Sequence, residues 1–237
     1  MKQTVDFHSA NALFAKYQIN LTQDNYDKLE KYADLMISEL QYQNITAVRD
    51  IQEIWVRHFL DSAILCKFFP EKAFSVIDIG TGGGIPGIPI AILCPHANIT
   101  LLDSELRKIE FCQKVVSEIG LSVSCVSARA EELARNESYR EHYDFAVSRA
   151  MTTGTVLSEL SLPFLKVNGQ LVAMKGKNYD PAVERFDESA AVLNARVETL
   201  LDYQIENEPK KLIFVLKTDH TPDIYPRRFA KIKRQPL

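Results

Sequence analysis

From Phe74 onward the sequence alternates between short β-branched apolar runs and stretches of helical length, and the first switch is made through glycine. "FSVIDI" is followed by Gly80-Thr81-Gly82-Gly83-Gly84 and then "IPGIPIAILC". "NITLLD", "VSCVS", "YDFAVSRA" and "QLVAMKG" read as further strands. The segments "SELRKIEFCQKVVSEIG", "AEELAR" and "TVLSELSLPFLKVNG" between them read as helices. Strands spaced this way by helices cannot be joined as hairpins and must run parallel, with helices on both faces. Ser104 is the expected N-cap of "SELRKIEFCQKVVSEIG", and Gly120 its C-terminal stop. After one more helix, "DPAVERFDESAAVLNA", come "RVETLLDYQI" and "KLIFVLKT", separated only by "ENEPK". Two strands joined so tightly are antiparallel. The expected fold is therefore α/β, a doubly wound, mostly parallel seven-stranded sheet that ends in an antiparallel hairpin, a closure unusual for dinucleotide-binding sheets.

Residues 1–70 contain no such strand. Apolar residues at Tyr26, Leu29, Ala33, Met36, Ile37 and Leu40, and again at Ile54, Trp55, Phe59, Leu60, Ile64 and Leu65, follow helical spacing, with Thr22 and Asp50 as N-caps. The chain thus divides into a helical extension (1–70), an α/β domain (71–220) and a basic tail (221–237). From Lys210 on, eight Lys/Arg face two Asp, a balance of +6; the net charge of −3 leaves −9 on the rest. An acidic body with a basic end suits a polyanion-binding protein as well as a solvated, disordered terminus. No apolar run approaches the roughly 18 residues that cross a bilayer, and the first residues lack a signal-peptide core. The expectation is a cytoplasmic protein without membrane contact. Cys66, Cys94, Cys112 and Cys125 form no C-x-x-C pair, and the five histidines form no ligand-spaced cluster. Free thiols and no metal are expected.

In an open α/β sheet the ligand sits beyond the carboxyl ends of the strands, so the glycine loop lines a crevice. A triphosphate-binding loop would need G-x-x-x-x-G-K-[ST], and no lysine follows. The dinucleotide pattern G-x-G-x-x-G matches at Gly82, Gly84 and Gly87, yet fails when read from Gly80, where the strand ends, because Ile85 takes the third position. Asp78-x-Gly80-x-Gly82-x-Gly84 instead is the acidic glycine signature of methyltransferases, in which a carboxylate faces the ammonium group of S-adenosylmethionine. A loop-capping role for Asp78 is the structural alternative. Asp103 ends the second strand and can accept ribose hydroxyls or cap the next helix. Ala130 and Glu131 follow the third strand, where an adenine edge would be read; Glu131 also suits a helix first turn.

The acceptor is narrowed by what is missing. After strand four stands "VSRAMTT", without the Asn/Asp-Pro-Pro-Tyr of amino-group methylation, and the one Cys-Pro, at Cys94, lies after the first helix and not near strands four or five. A ring nitrogen such as guanine N7 needs no base, and positioning then dominates catalysis. Arg149, Lys175 and Arg129 at strand ends, with Lys177 near them, are the candidate catalytic cations for an anionic substrate.

The stretches "VIDIGTGGGIPGIPIAI", "TLLDS", "ARAEEL", "VSRA" and "AMKGK", with "NITAVRD" and "VRHFLDS" upstream, resemble the small-subunit rRNA guanine-N7 methyltransferase G family, formerly called glucose-inhibited division protein B. The resemblance runs from about residue 10 to the end, including a Tyr-Pro-Arg-Arg and Lys-rich tail like that of Gram-positive relatives. It implies a Rossmann-like class I S-adenosylmethionine-dependent methyltransferase acting on N7 of one guanosine in 16S rRNA. It also implies cofactor contacts at Gly80, Ile85, Ala130, Glu131 and Arg149, ribose contact at Asp103, and a role for Lys175. His58 matches the family's "RHILDS" and reads as a partly buried helical residue. Gly83, where many relatives carry Pro or Ala, should loosen the loop. A small-molecule methyltransferase, a nicotinamide dehydrogenase and a non-catalytic rRNA-binding assembly factor remain as rivals. A monomer is expected. The sequence leaves open whether free rRNA, a precursor particle or the assembled subunit is the substrate.

Overall fold

The computed structural model describes residues 5–237, so the first four residues of the 1–70 extension lie outside it. The extension holds α1 (Phe7–Ala15), α2 (Gln23–Glu39), α3 (Ile51–Ile54) and α4 (Asp61–Leu65), with a six-residue π-helix, Trp55–Leu60, between the last two. Asp50 and Thr22 cap α3 and α2 as expected: Thr22 Oγ1 accepts from Asn25 N, and Asp50 Oδ1 accepts from Gln52 and Glu53 N. Each such cap contributes about 1 kcal/mol.

The sheet follows as β1 (Phe74–Ile79), β2 (Ala97–Asp103), β3 (Val123–Ser127), β4 (Tyr143–Arg149), β5 (Leu165–Lys175), β6 (Ala195–Ile205) and β7 (Glu208–Lys217). Its order is β3-β2-β1-β4-β5-β7-β6, and only β7 runs antiparallel to its neighbours. The helices between strands are α5 (Gly87–Leu93), α6 (Leu106–Ile119), α7 (Ala130–Leu133), α8 (Gly154–Ser161), α9 (Pro181–Glu184) and α10 (Phe186–Val192), and α11 (Phe229–Arg234) ends the chain. One apolar core joins the extension, α5 and α6 to one face of the sheet; a second lies on the other face under α7, α8, α10 and α11.

Three boundaries differ from the sequence reading. The helix after β4 stops at Ser161, and β5 already begins at Leu165, so Asn168-Gly169 lies inside the strand. The pairing register slips there, between Tyr143 and Phe145, with Asn168 at φ +68°. Gly169 fits because a Cβ would meet three carbonyl oxygens at 2.9–3.1 Å. The single helix expected over 180–195 is two, broken at Arg185 in the left-handed region (φ +46°). Ser104 does not cap α6; Glu105 occupies that position, and the turn is closed by Asp103.

Candidate active site

The glycine loop is shaped by two carboxylates. Asp78, fully buried at the end of β1, accepts on Oδ2 from Thr81 Oγ1 (2.6 Å) and from Gly87 N (2.8 Å), while its Oδ1 has no protein partner. Burial raises its pKa to about 7, against the opposing hydrogen bonds from Thr81 and Gly87. Gly87 is required here because a Cβ would lie 2.2 Å from Leu101 Cδ2 and 2.9 Å from Asp78 Oδ2. Asp103 clasps the loop from β2: Oδ2 accepts from Gly82 N, and Oδ1 from Glu105 N, both at 2.9 Å. Of the structural alternatives weighed from the sequence, loop capping by Asp78 is present, whereas Asp103 does not cap α6 and instead closes the turn before it through Glu105 N. Neither excludes a ligand, because each carboxylate oxygen carries two acceptor sites.

The loop is braced from outside as well. Tyr32 of α2 donates its hydroxyl to Gly83 O (2.5 Å), and a Cβ on Gly83 would come within 3.2 Å of Ile45. Gly83 therefore packs tightly, and the loosening expected of it is not what the fold shows.

A cavity of about 300 Å³ opens beyond the ends of β1, β2 and β4. Of the predicted residues, Gly80, Gly82, Asp103, Arg129, Ala130, Glu131 and Arg149 line it. Asp78, Gly84 and Ile85 do not: Asp78 points into the loop, and a Cβ on Gly84 would press on Ile88 and the Tyr32 hydroxyl. Glu131 is buried, and its carboxylate takes no hydrogen bond or ion pair from the described residues. Lys175 lines a second, adjoining cavity of about 610 Å³, together with Lys177, Lys210, Tyr179 and Asn178. Ala150 and Met151 border both cavities. Ala150 sits at φ +51°, a left-handed conformation that costs a non-glycine residue on the order of 1 kcal/mol and is held by the packing around it.

Two of the four predicted cations, Lys175 and Arg149, are held by protein partners. Lys175 Nζ pairs with Glu184 (2.8 Å) and donates to Thr152 O (2.7 Å). The Arg149 guanidinium donates from Nη1 to His58 Nδ1 (2.8 Å) and lies 3.4 Å, through Nε, from the buried Asp61 carboxylate. Asp61 also accepts from Tyr203 OH (2.7 Å) and faces Lys210 at 3.8 Å. His58 Nε2 contacts Thr46 Oγ1 at 2.6 Å. Burial, and then the Arg149 charge, lower the His58 pKa to about 3, so the ring is neutral, Nδ1 accepts, and Nε2–H donates to Thr46. The picture of free strand-end cations is corrected accordingly: Arg149 is a positioned group, and among the four cations only Arg129 and Lys177 are exposed.

Sequence reasoning missed Asp61, Thr46, Tyr203, Met151 and Phe229. His58 and Asp61 did leave a signal: they stand three apart, on one helical face, inside an otherwise apolar stripe. The π-helix that carries His58 is a geometry frequent at functional sites.

An acidic strand end, a glycine loop braced on it, and a sheet of order 3-2-1-4-5-7-6 with one antiparallel strand define a class I methyltransferase fold. A precorrin-6y C5,15-methyltransferase structure from Geobacter metallireducens shares it, with a TM-score of 0.51 at 18% identity over 67% of this chain and 87% of that one. A model of the family described as rRNA small subunit methyltransferase G matches residues 25–212. A ribosomal RNA small subunit methyltransferase G from Clostridium kluyveri is 38% identical over 221 residues, 92% of this chain and 93% of its own length. The protein of that name from Acetivibrio thermocellus is 37% identical over 224 residues, 93% and 92% of the two chains. The chain belongs to the rRNA small subunit methyltransferase G family.

Proposed function

We propose that this protein binds S-adenosylmethionine in the first cavity and methylates N7 of a guanosine of 16S rRNA, presented in the second, in the cytoplasm and as a monomer. The observation that carries the reading is the pairing of two cavities across Ala150 and Met151. One holds the Asp103 and Glu131 carboxylates among Lys108, Arg129 and Arg149; the other holds Lys175, Lys177, Lys210 and Tyr179 with Glu184 and Glu208. The first fits the cofactor. Asp78 does not line the cavity, but its Oδ1, buried beneath the loop without a protein partner, is an unfilled acceptor behind the wall that an ammonium group would face; Gly80 and Gly82 line the cavity at φ +70° and +58°, which glycine adopts without strain. Asp103 suits ribose hydroxyls, and Glu131 beside Ala130 suits an adenine edge.

When bound, S-adenosylmethionine supplies an electrophilic sulfonium methyl that the N7 lone pair of guanine attacks directly. The protein's part is then to orient and to exclude water, because no proton has to be removed before attack. Arg149, held by His58 and Asp61, forms one wall of the first cavity. Exposed Lys177 meets the charge of the RNA, while Lys175 and Lys210, paired with Glu184 and with Asp61 and Glu208, shape the second cavity; Tyr179, with Lys211 over one ring face, has the other for a base turned out of its stack. Arg129 adds an exposed charge at the mouth. No helix is long and apolar enough to cross a membrane, and no group of three or more His, Cys, Asp or Glu among the described residues is placed to hold a metal.

The test is transfer from labelled S-adenosylmethionine to 16S rRNA, supplied free and in subunits lacking the modification, with 23S rRNA and tRNA as controls. Label confined to 16S rRNA supports the reading. Cofactor binding without incorporation into any RNA contradicts it.

A further inference from the structure

The basic C-terminal segment is not a loose arm. Arg227 donates to the fully buried Glu159 of α8 through its backbone N and Nε (2.8 Å each) and through Nη2 (2.5 Å). Arg135 and Arg140 hold the preceding backbone, donating to the carbonyls of Pro226 (2.6 Å), Tyr225 (3.0 Å) and Thr221 (2.7 Å). Ile232 is fully buried in the second core. These ties set the orientation of α11. On it, Phe229 reaches the first cavity and shares its lining with Leu160, Ala130 and Glu131; the Arg129 guanidinium lies over its ring, 5.5 Å from the centroid. Arg228, Lys231, Lys233 and Arg234 of the same short segment are exposed to solvent. The family match ends at residue 212, so none of this segment lies within it.

We infer that α11 serves both ligands at once: Phe229 is a wall of the cofactor site beside the adenine-reading residues, and the four outward cations contact the phosphate backbone of the substrate RNA. The inference rests on the cofactor and RNA reading above. A half-buried phenyl ring at the edge of a cavity walled in part by charged side chains (Asp103, Glu131, Lys108, Arg129, Arg149) adds an apolar face of the kind a purine requires and that the charged groups cannot supply. A row of cations with no carboxylate partner among the described residues, set on a helix whose other face touches that cavity, places any bound polyanion next to the mouth of the site. By linkage, RNA held by these cations stabilises the same helix that closes on the cofactor, so each ligand should strengthen binding of the other.

The test uses the full chain and S-adenosylhomocysteine as the probe, titrated by calorimetry. Phe229→Ala should weaken binding about tenfold or more, the size of one base–aromatic contact. Phe229→Tyr should retain it, and Phe229→Leu guards against misfolding of the alanine variant by keeping most of the apolar volume. A quadruple variant with Arg228, Lys231, Lys233 and Arg234 replaced by Gln should bind S-adenosylhomocysteine normally in the absence of RNA. Its affinity for 16S rRNA should fall, and its log–log salt slope should become shallower by about 0.7–0.9 for each phosphate that is no longer neutralised. Unchanged probe affinity in both Phe229→Ala and Phe229→Leu, or an unchanged salt slope in the quadruple variant, overturns the inference. Wild-type protein that fails to bind the probe overturns the proposed function as well, so the two failures are distinguishable.

Discussion

Lowering the pH should shift two single variants in opposite directions relative to the wild type. The ring of His58 is neutral in the fold, with its pKa depressed from 6.5 to about 3. Below pH 6.5 the unfolded chain takes up a proton that the folded chain does not, so this residue's stabilisation is present above 6.5 and is lost as the pH falls. At pH 5 the loss is about 1.5 pH units, roughly 2 kcal/mol. Asp78 acts the other way. Its pKa is raised from 3.8 to about 7, so the folded chain binds the proton more readily, and stability is lost as the pH rises from 3.8 to 7. Going from pH 7.5 to 5 regains about 3 kcal/mol. The two nearly cancel in the wild type. His58→Asn should therefore gain about 2 kcal/mol on the wild type between pH 7.5 and 5, and Asp78→Asn should lose about 3 kcal/mol over the same interval. For a chain of this size, that is roughly 4–8 °C upward and 6–12 °C downward in relative melting temperature. Thermal melts of the three proteins, without cofactor, at matched ionic strength and half-unit pH steps, read the differences directly; groups common to all three drop out. Difference curves that are flat across this window, or that slope the same way, would refute the assignment of a neutral His58 against Arg149 and of a proton-binding Asp78 under the loop.

Gly87→Ala drives a Cβ into Leu101 and Asp78 and should cost about 1–3 kcal/mol by urea denaturation. Gly82→Val is the milder change for the fold, because the nearest atom to a Cβ is Ile45 O at 3.8 Å; it strains a left-handed residue that lines the cavity, so calorimetry with S-adenosylhomocysteine should show loss of binding by a protein that still melts cooperatively. Asp78→Ala is not an equally clean probe, since it also strips Thr81 Oγ1 and Gly87 N of their acceptor. Arg227→Ala leaves Glu159 buried without its cation and should destabilise by about 3–5 kcal/mol in a thermal melt. Asp61→Asn keeps the shape but removes the charge that faces Arg149; kcat/KM for methyl transfer should fall about tenfold with the fold retained, and unchanged kinetics would remove Asp61 from the positioning of that guanidinium.

The parts of the site that local sequence revealed are those set by local chemistry. The β-branched runs had to be buried strands. The glycines had to follow the first of them, and Asp78, Asp103 and Arg149 fall at the ends of β1, β2 and β4 because a strand buried on both faces admits charge only where it leaves the sheet. The closing hairpin was readable from a break too short for a crossover. What escaped was set by tertiary contact. Nothing near Arg149 in sequence says that His58 and Asp61, some ninety residues earlier, will hold it, or that Glu184 will neutralise Lys175. The helical extension read as packed on the core, but nothing in it said that through Tyr32, Ile45 and His58 it would brace both the glycine loop and Arg149. Glu159, fully buried on α8, gave no hint of a partner 68 residues away in a tail that could equally have been solvated. Phe229 and Ile232, three apart among basic residues, were the one amphipathic signal that the tail would fold back.

The most direct test of the central claim is to locate the methyl group. 16S rRNA labelled by this protein from S-adenosylmethionine would be reduced and treated with aniline, which cleaves the strand at N7-methylguanosine, and the break mapped by primer extension. The account predicts one break, at one guanosine, absent when Arg149 is replaced by Ala. Label that enters the RNA without creating an aniline-sensitive site would contradict attack by guanine N7, and with it the base-free, positioning mechanism.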